Sequence, residues 1–198
     1  MHEKEQILKF FDSTISQYTS DDPFVVGWGS LDSQIVRFKV LADIGDINNC
    51  SILDLGCGVG DLYGYLEQTA SGIDYYGIDF HPEMIKMAKK KYPAARFENI
   101  SLEDVHEKYD YVFVSGAFNL LIEDNENYIK NWIIKTHNMA KKGVAINLLS
   151  KYAPLDKKYY NLCYYDPLYV LDFCIKKFGK VNLKHDYLPH DFTIHIYK

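Results

Sequence analysis

The 198-residue sequence predicts an α/β fold, a mostly parallel seven-stranded sheet with an antiparallel last strand and helices on both faces. Three observations predict it. Short apolar runs alternate with helix-period segments, as expected of parallel strands buried on both sides. A glycine-rich turn joins the first such run to the following helix. The chain then closes on two strand-like segments with no helix between them, a connection usual for antiparallel neighbours.

The elements follow in order. Lys4 to Tyr18 carries Ile7, Leu8, Phe11 and Ile15 at helical spacing, an amphipathic N-terminal helix ended by Ser20-Asp21-Asp22-Pro23. After the loop Gly27-Trp28-Gly29-Ser30, Ser30 or Asp32 can cap a helix running to about Ile44. Ser51 to Leu55 is the first strand, and a helix around Leu62 to Glu67 follows the glycines. Tyr75 to Asp79 is the second strand, and Pro82 opens a helix to Tyr92. Ala95 to Glu98, Tyr109 to Ser115 and Val144 to Leu149 are strands three to five, with a long helix from about Asn125 to Ala140. Asp166-Pro167 starts a helix to about Phe178, and Lys180 to His185 and Phe192 to Tyr197 are the closing strands. No repeat or second-domain boundary interrupts this order. One domain over 1–198 is expected, with 1–45 as a helical lid region and 51–198 as the α/β core.

Composition narrows the partners. Hydrophobic residues make up 47% of the chain and charged residues 25%, the balance of a globular protein. The net charge of −5 and the lack of a basic stripe argue against nucleic acid. Lys86, Lys89, Lys90 and Lys91 fall at a helix end, where solvated lysines are expected. Cys50, Cys57, Cys163 and Cys174 form no CxxC pair and no metal spacing, and no run of apolar residues is long enough for a membrane span. A reduced, cytoplasmic protein with no metal and no membrane partner is expected.

The chemistry lies in Asp54-Leu55-Gly56-Cys57-Gly58-Val59-Gly60, between a strand and a helix. Glycines there allow a tight turn and close approach of a ligand to the backbone. Asp79 ends the next strand, 21 residues after Gly58, where a carboxylate can accept hydrogen bonds from both hydroxyls of a ribose. A dinucleotide site of the G-x-G-x-x-G type requires glycine at position 61, which is Asp61 here. Asp54 and Asp61 would also repel a pyrophosphate, while they favour a ligand bearing a sulfonium and an ammonium. A nicotinamide-dependent oxidoreductase is thereby disfavoured.

On these residues, and in motif order from Ile52 to Ser150, the chain resembles the class I S-adenosylmethionine-dependent methyltransferases, whose fold is Rossmann-like. The resemblance implies S-adenosylmethionine as cofactor. Asp54, Gly56, Cys57, Gly58 and Gly60 would cradle its methionine part, Asp79 its ribose, and Phe80 and Met84 its adenine. The family's third motif is replaced by Asn99-Ile100-Ser101-Leu102-Glu103, which lacks the usual acid, so that Ser101 and the Leu102 amide are left to meet the adenine edge. Ser115-Gly116-Ala117-Phe118-Asn119 stands where donor and acceptor should meet, with Ser115 and Asn119 at the ligand. It is not the proline box of nucleobase and glutamine N-methyltransferases, and so a nucleobase or glutamine amide acceptor is disfavoured. For Cys57 the reading as a small turn residue outweighs a reactive one, because nothing in the sequence marks its thiol as activated.

Outside the loop, Trp28, Ser30, Gln34 and Arg37 precede the first strand. Trp28 suits a lid, and Arg37 suits either a bidentate contact to the methionine carboxylate or a solvated helix face. The stretches Gly27 to Gln34 and His185 to Thr193 also resemble small bacterial methyltransferases of surface-polysaccharide gene clusters. That likeness implies a sugar, sugar nucleotide or related precursor as acceptor. His190, and after it His185, are the candidate bases for a hydroxyl acceptor, against the alternative of loop histidines making structural hydrogen bonds. Tyr160, Tyr164 and Tyr165 suit a pocket wall or the core equally. Two other functions remain open to the sequence, a non-catalytic S-adenosylmethionine-binding regulatory module and a protein methyltransferase.

Overall fold

A computed structural model describes residues 2–27 and 29–198 of the chain, and Trp28 lies outside the described residues. The apolar runs become strands whose alternate residues enter different layers. In β1 (Ser51–Leu55) Ile52 joins one apolar cluster and Leu53 the other. In β4 (Tyr109–Ser115) Tyr111 and Phe113 face the first layer, while Val112 and Val114 face the second. This two-sided burial is why the strands read as continuous apolar runs.

The first layer is covered by α2 (Leu31–Ala42), α3 (Asp61–Thr69) and α4 (Pro82–Lys91), through residues such as Phe38, Leu41, Leu66 and Ile85. The second is covered by α5 (Asn125–Met139) and α6 (Pro167–Phe178), through Ile129, Ile133, Val170 and Cys174. The N-terminal helix α1 (His2–Gln17) belongs to neither layer. Phe11 and Ile15 pack on a small third cluster of Val25, Val59 and Met84, above the glycine turn.

With β2 (Asp74–Ile78), β3 (Arg96–Glu98), β5 (Ala140–Leu149), β6 (Val181–Lys184) and β7 (Asp191–Tyr197), the strands form one sheet in the order β3-β2-β1-β4-β5-β7-β6. β1, β2, β3, β4 and β5 pair in parallel, and β7 runs antiparallel between β5 and β6. The seven-stranded, mostly parallel arrangement with an antiparallel last strand is the expected one. The order reverses between β1 and β4, and ligands of open α/β sheets bind outside the carboxyl ends of strands at such a point. β7 also matters there: because it runs backwards, its first residue, Asp191, pairs with Leu149 at the carboxyl end of β5.

Boundaries shift where the apolar pattern is silent. β5 starts at Ala140 rather than Val144, since Tyr109 pairs with Ala140 although Lys141 and Lys142 are exposed. Ser30, not Asp32, caps α2, accepting from the Ser33 amide at 3.3 Å. Short 3-10 turns at Pro23–Val26, Leu102–Asp104 and Leu155–Lys157 lie in segments to which the sequence pattern assigned no helix or strand. Among the described residues, no helix is long and apolar enough to cross a membrane.

Candidate functional site

Two adjoining cavities open at the reversal point. The smaller, about 70 Å³, is walled by the turn after β1 (Gly56, Cys57, Gly58), the residues after β2 (Asp79, Phe80), Met84 of α4 and Ser115 to Ala117 at the end of β4. Ile7 and Phe11 of α1 cover it. The larger, about 250 Å³, extends along the ends of β4, β5 and β7, and shares Phe11, Val26 and Gly116 with the smaller one.

The turn has the form that the glycines permit. Gly56 sits at φ +74°, and its amide and that of Cys57 both donate to the Ile78 carbonyl, at 2.9 and 3.1 Å. A Cβ on Gly56 would stand 2.6 Å from the Ala117 Cβ, so a side chain would close the passage between β1 and β4. Gly60 caps α3 at φ +85° and packs against Phe97, away from the cavity wall.

Three carboxylates share the smaller cavity: Asp54, Asp61 and Asp79. Asp79 accepts from the Gly58 amide (3.1 Å, Oδ2) and the His81 amide (2.8 Å, Oδ1), and burial pushes its pKa up. Asp54 accepts from the Tyr75 hydroxyl at 2.6 Å. Its burial raises its pKa to about 7, and the nearby Asp79 and Asp61 charges act in the same direction. Asp61 accepts from Gln34 Nε2 at 3.0 Å and from Lys91 Nζ at 2.8 Å. Crowded buried carboxylates of this kind favour a cationic ligand. The Cys57 thiol is buried and its pKa is pushed well up by desolvation, so it is not an activated nucleophile.

Polar and aromatic groups line the larger cavity. His190 reaches it from the start of β7, Asn119 from the segment after β4, and Ser30, Ser33 and Arg37 from α2 and its cap. Arg37 is 3% exposed and pairs with Asp191, which is fully buried. Arg37 Nη1 also donates to Ser33 Oγ at 3.0 Å. The Asp191 oxygen that meets Arg37 lies 3.3 Å from His190 Nε2. Burial lowers the His190 pKa against the pull of Asp191, which leaves the ring neutral at neutral pH.

The expected site residues therefore divide. Asp54, Gly56, Cys57, Gly58, Asp79, Phe80, Met84 and Ser115 meet around the smaller cavity. Arg37, Asn119 and His190 meet around the larger one. Arg37 is neither solvated nor at the smaller cavity, because the buried Asp191 carboxylate takes its charge. His185 stands away from both walls, with Nε2 2.7 Å from Ser150 Oγ and its ring stacked on Phe192. Ser101 joins a capping box with Asp104, and the Leu102 side chain is buried in the second layer; neither belongs to a cavity wall. Trp28 lies outside the described residues.

Among the tyrosines, Tyr164 lines the larger cavity, Tyr165 is core and donates to the Phe118 carbonyl, and Tyr160 is 96% exposed. Sequence reasoning missed Phe10, Lys157 and Tyr159 at that wall. Phe10 had a signal, an aromatic next to Phe11 and off the main apolar stripe. Lys157 had none, since its position depends on the turn at Leu155–Lys157 and on long-range packing.

Comparison with known proteins follows this geometry. Residues 53–146 match a family described as a methyltransferase domain. The chain is 32% identical over 154 residues to a methyltransferase-like protein of Mycobacterium tuberculosis, covering 75% of this chain and 93% of that protein. It is 30% identical over 144 residues to a demethylmenaquinone methyltransferase of Chlorobaculum tepidum, where the match spans 70% of this chain and 56% of the longer relative. Its fold is similar to that of magnesium protoporphyrin IX methyltransferase from Synechocystis, solved with S-adenosylhomocysteine, at a TM-score of 0.67 and 16% identity, covering 98% of this chain and 99% of that one.

Proposed function

The chain belongs to the methyltransferases, and from that membership we propose that it transfers a methyl group from S-adenosylmethionine to an oxygen or nitrogen of a small-molecule acceptor held in the larger cavity. The observation that carries this reading is the shared wall of the two cavities at Phe11, Val26 and Gly116. A donor in one and an acceptor in the other would meet beside the end of β4. The acceptor class we favour is a sugar, sugar nucleotide or related surface-polysaccharide precursor. The two stretches carrying that likeness, Gly27 to Gln34 and His185 to Thr193, converge on the larger cavity through Gly27, Gly29, Ser30, Ser33 and His190. The free cysteines suit a reducing cytoplasm.

The smaller cavity fits the cofactor on two counts. Its turn has no room for a Cβ at Gly56, and its donor set is three carboxylates suited to a cation. S-adenosylmethionine supplies an electrophilic methyl group on a sulfonium. In this reading Asp79 holds the ribose hydroxyls, Phe80 and Met84 flank the adenine, and Asp54 with the glycine turn holds the methionine part. Ile7, Phe11 and Val26 exclude water, and the aligned walls hold donor and acceptor in line, the source of most of the rate. His190 is the group for a hydroxyl proton. Its Nε2 stands 3.3 Å from the Asp191 carboxylate, and its Nδ1 is buried with no hydrogen-bond partner among the described residues. Arg37 holds Asp191 in place behind the ring.

Calorimetric titration with S-adenosylhomocysteine, with NAD as control, tests the donor site. Micromolar binding of the first alone is expected. Asp79→Ala should weaken it by more than tenfold, about 1.4 kcal/mol; an unchanged affinity removes Asp79 from the ribose role.

His190→Ala should slow methyl transfer to a hydroxyl acceptor about a hundredfold or more without changing S-adenosylhomocysteine affinity. The wild-type rate should rise with pH through the lowered His190 pKa and be fully developed by neutral pH. Equal loss of rate and cofactor affinity would show His190 to be structural.

A further inference from the structure

The two adjoining cavities are lined by different ionisable groups. Among the described residues, the wall of the smaller one holds Asp54, Asp61 and Asp79 and no Lys, Arg or His. The wall of the larger one holds Lys157, Arg37 and His190 and no Asp or Glu. Such a basic wall is unexpected in a chain with 27 acidic against 22 basic residues. Asp191, a carboxylate close behind it, is taken by Arg37.

Lys157 is different from Arg37. It ends the turn Leu155–Lys157, and among the described residues its side chain makes no ion pair, while Lys151 nearby is paired with Asp166. The turn itself is held in place. The Tyr164 hydroxyl donates to the Lys157 carbonyl at 3.2 Å and accepts from the Tyr159 amide at 2.8 Å. Lys157 and Arg37 both stand close enough to the His190 ring to disfavour its protonation, so the basic groups form one cluster. The first turn of α2, with Ser30 and Ser33 at the same wall, adds the partial positive charge of a helix N-terminus, although the Ser33 amide donates to Ser30 Oγ and Asp32 stands in the same turn.

We infer that the acceptor of the larger cavity carries an anionic group, a phosphate or a carboxylate, and that Lys157 together with the first turn of α2 selects for it. This rests on reading the larger cavity as the acceptor site. The chemistry is that of charge-assisted hydrogen bonds from an ammonium and backbone amides to anionic oxygens. The two cavities then divide one task, a cationic donor in the acidic wall and an anionic acceptor in the basic wall. Each wall repels the other's ligand. An uncharged acceptor gains nothing from Lys157.

The test uses the full chain saturated with S-adenosylhomocysteine, titrated with glucose 1-phosphate, glucuronate and glucose. At least one anion should bind tenfold or more tightly than glucose. The tighter of the two distinguishes phosphate from carboxylate. Lys157→Glu, a change at an exposed position, should abolish that preference while leaving S-adenosylhomocysteine affinity unchanged. Equal binding of the charged and neutral probes, no binding of either anion at millimolar concentration, or an unaltered preference in Lys157→Glu would each overturn the inference. Failure to bind S-adenosylhomocysteine is a separate outcome, which removes the donor-site reading and this inference with it.

Discussion

Arg37→Met is expected to lower the stability of the folded chain by about 3–5 kcal/mol at pH 7.5, measured by urea denaturation. The reason is the partner it leaves. Asp191 is fully buried at the start of β7, and its pKa is already raised by desolvation against the opposing pull of Arg37. Without Arg37 the carboxylate is stranded, and its pKa should rise further. A buried acid with a raised pKa costs stability as pH climbs above its unfolded value. The deficit of Arg37→Met should therefore shrink as the pH is lowered toward 5. The double variant Arg37→Met/Asp191→Leu should recover most of the loss, since an apolar pair of similar volume can replace a buried ion pair. A double variant as unstable as the single one would assign the cost to packing instead of charge.

Asp54→Asn is expected to move stability and binding in opposite directions. Burial raises the Asp54 pKa from 3.8 to about 7, so above neutral pH the ionised carboxylate costs the folded state about 4 kcal/mol. The sign follows from the direction of the shift. The cost is absent below the unfolded pKa, grows as pH rises, and is complete above about 7. Asparagine keeps an acceptor for the Tyr75 hydroxyl without the charge. Its melting temperature at pH 8 should therefore exceed that of the wild type, with the difference vanishing at acid pH.

Binding should respond the other way. A cationic ligand restores the ionised form of Asp54, so wild-type affinity for S-adenosylmethionine should fall about tenfold from pH 8 to pH 6 as the site must first lose a proton. Asp54→Asn should bind more than tenfold more weakly at pH 8 and show little of that slope. Equal pH dependence in both proteins would assign the slope to another group, Asp79 first. The local cost of three crowded carboxylates is the kind of conflict expected at a functional site, where a ligand and not the fold resolves it.

Much of the fold was legible in the sequence because its signals are local. β1 and β4 run over the expected residues because apolar runs of their length, bounded by turn signals, suit a strand covered on both sides. α4 and α6 start where Pro82 and Pro167 pre-set the first turn. The glycine turn and Asp79 were legible for the same reason. Two sequential strands and one tight turn place them together, and Asp79 meets Gly58 directly.

Tertiary structure decided the rest. Nothing near Arg37 in sequence indicates that it points to Asp191, 154 residues later; that pairing exists because β7 inserts antiparallel between β5 and β6 and so starts at the carboxyl end of β5. The same insertion brings His190 to the larger cavity and leaves His185, five residues earlier, on Ser150. Tyr164 and Tyr165 are neighbours with identical chemistry, yet one lines the cavity and the other is core, since successive residues of an extended segment point to opposite sides. The position of α1 over both cavities likewise depends on a small remote cluster around Val25 and Met84. The sequence by itself determined the order of elements, the turn and the acid that meets it, because each needs only its own neighbours. Which distant side chains share the second cavity was decided by strand order and direction, because those bring together residues that no local pattern connects.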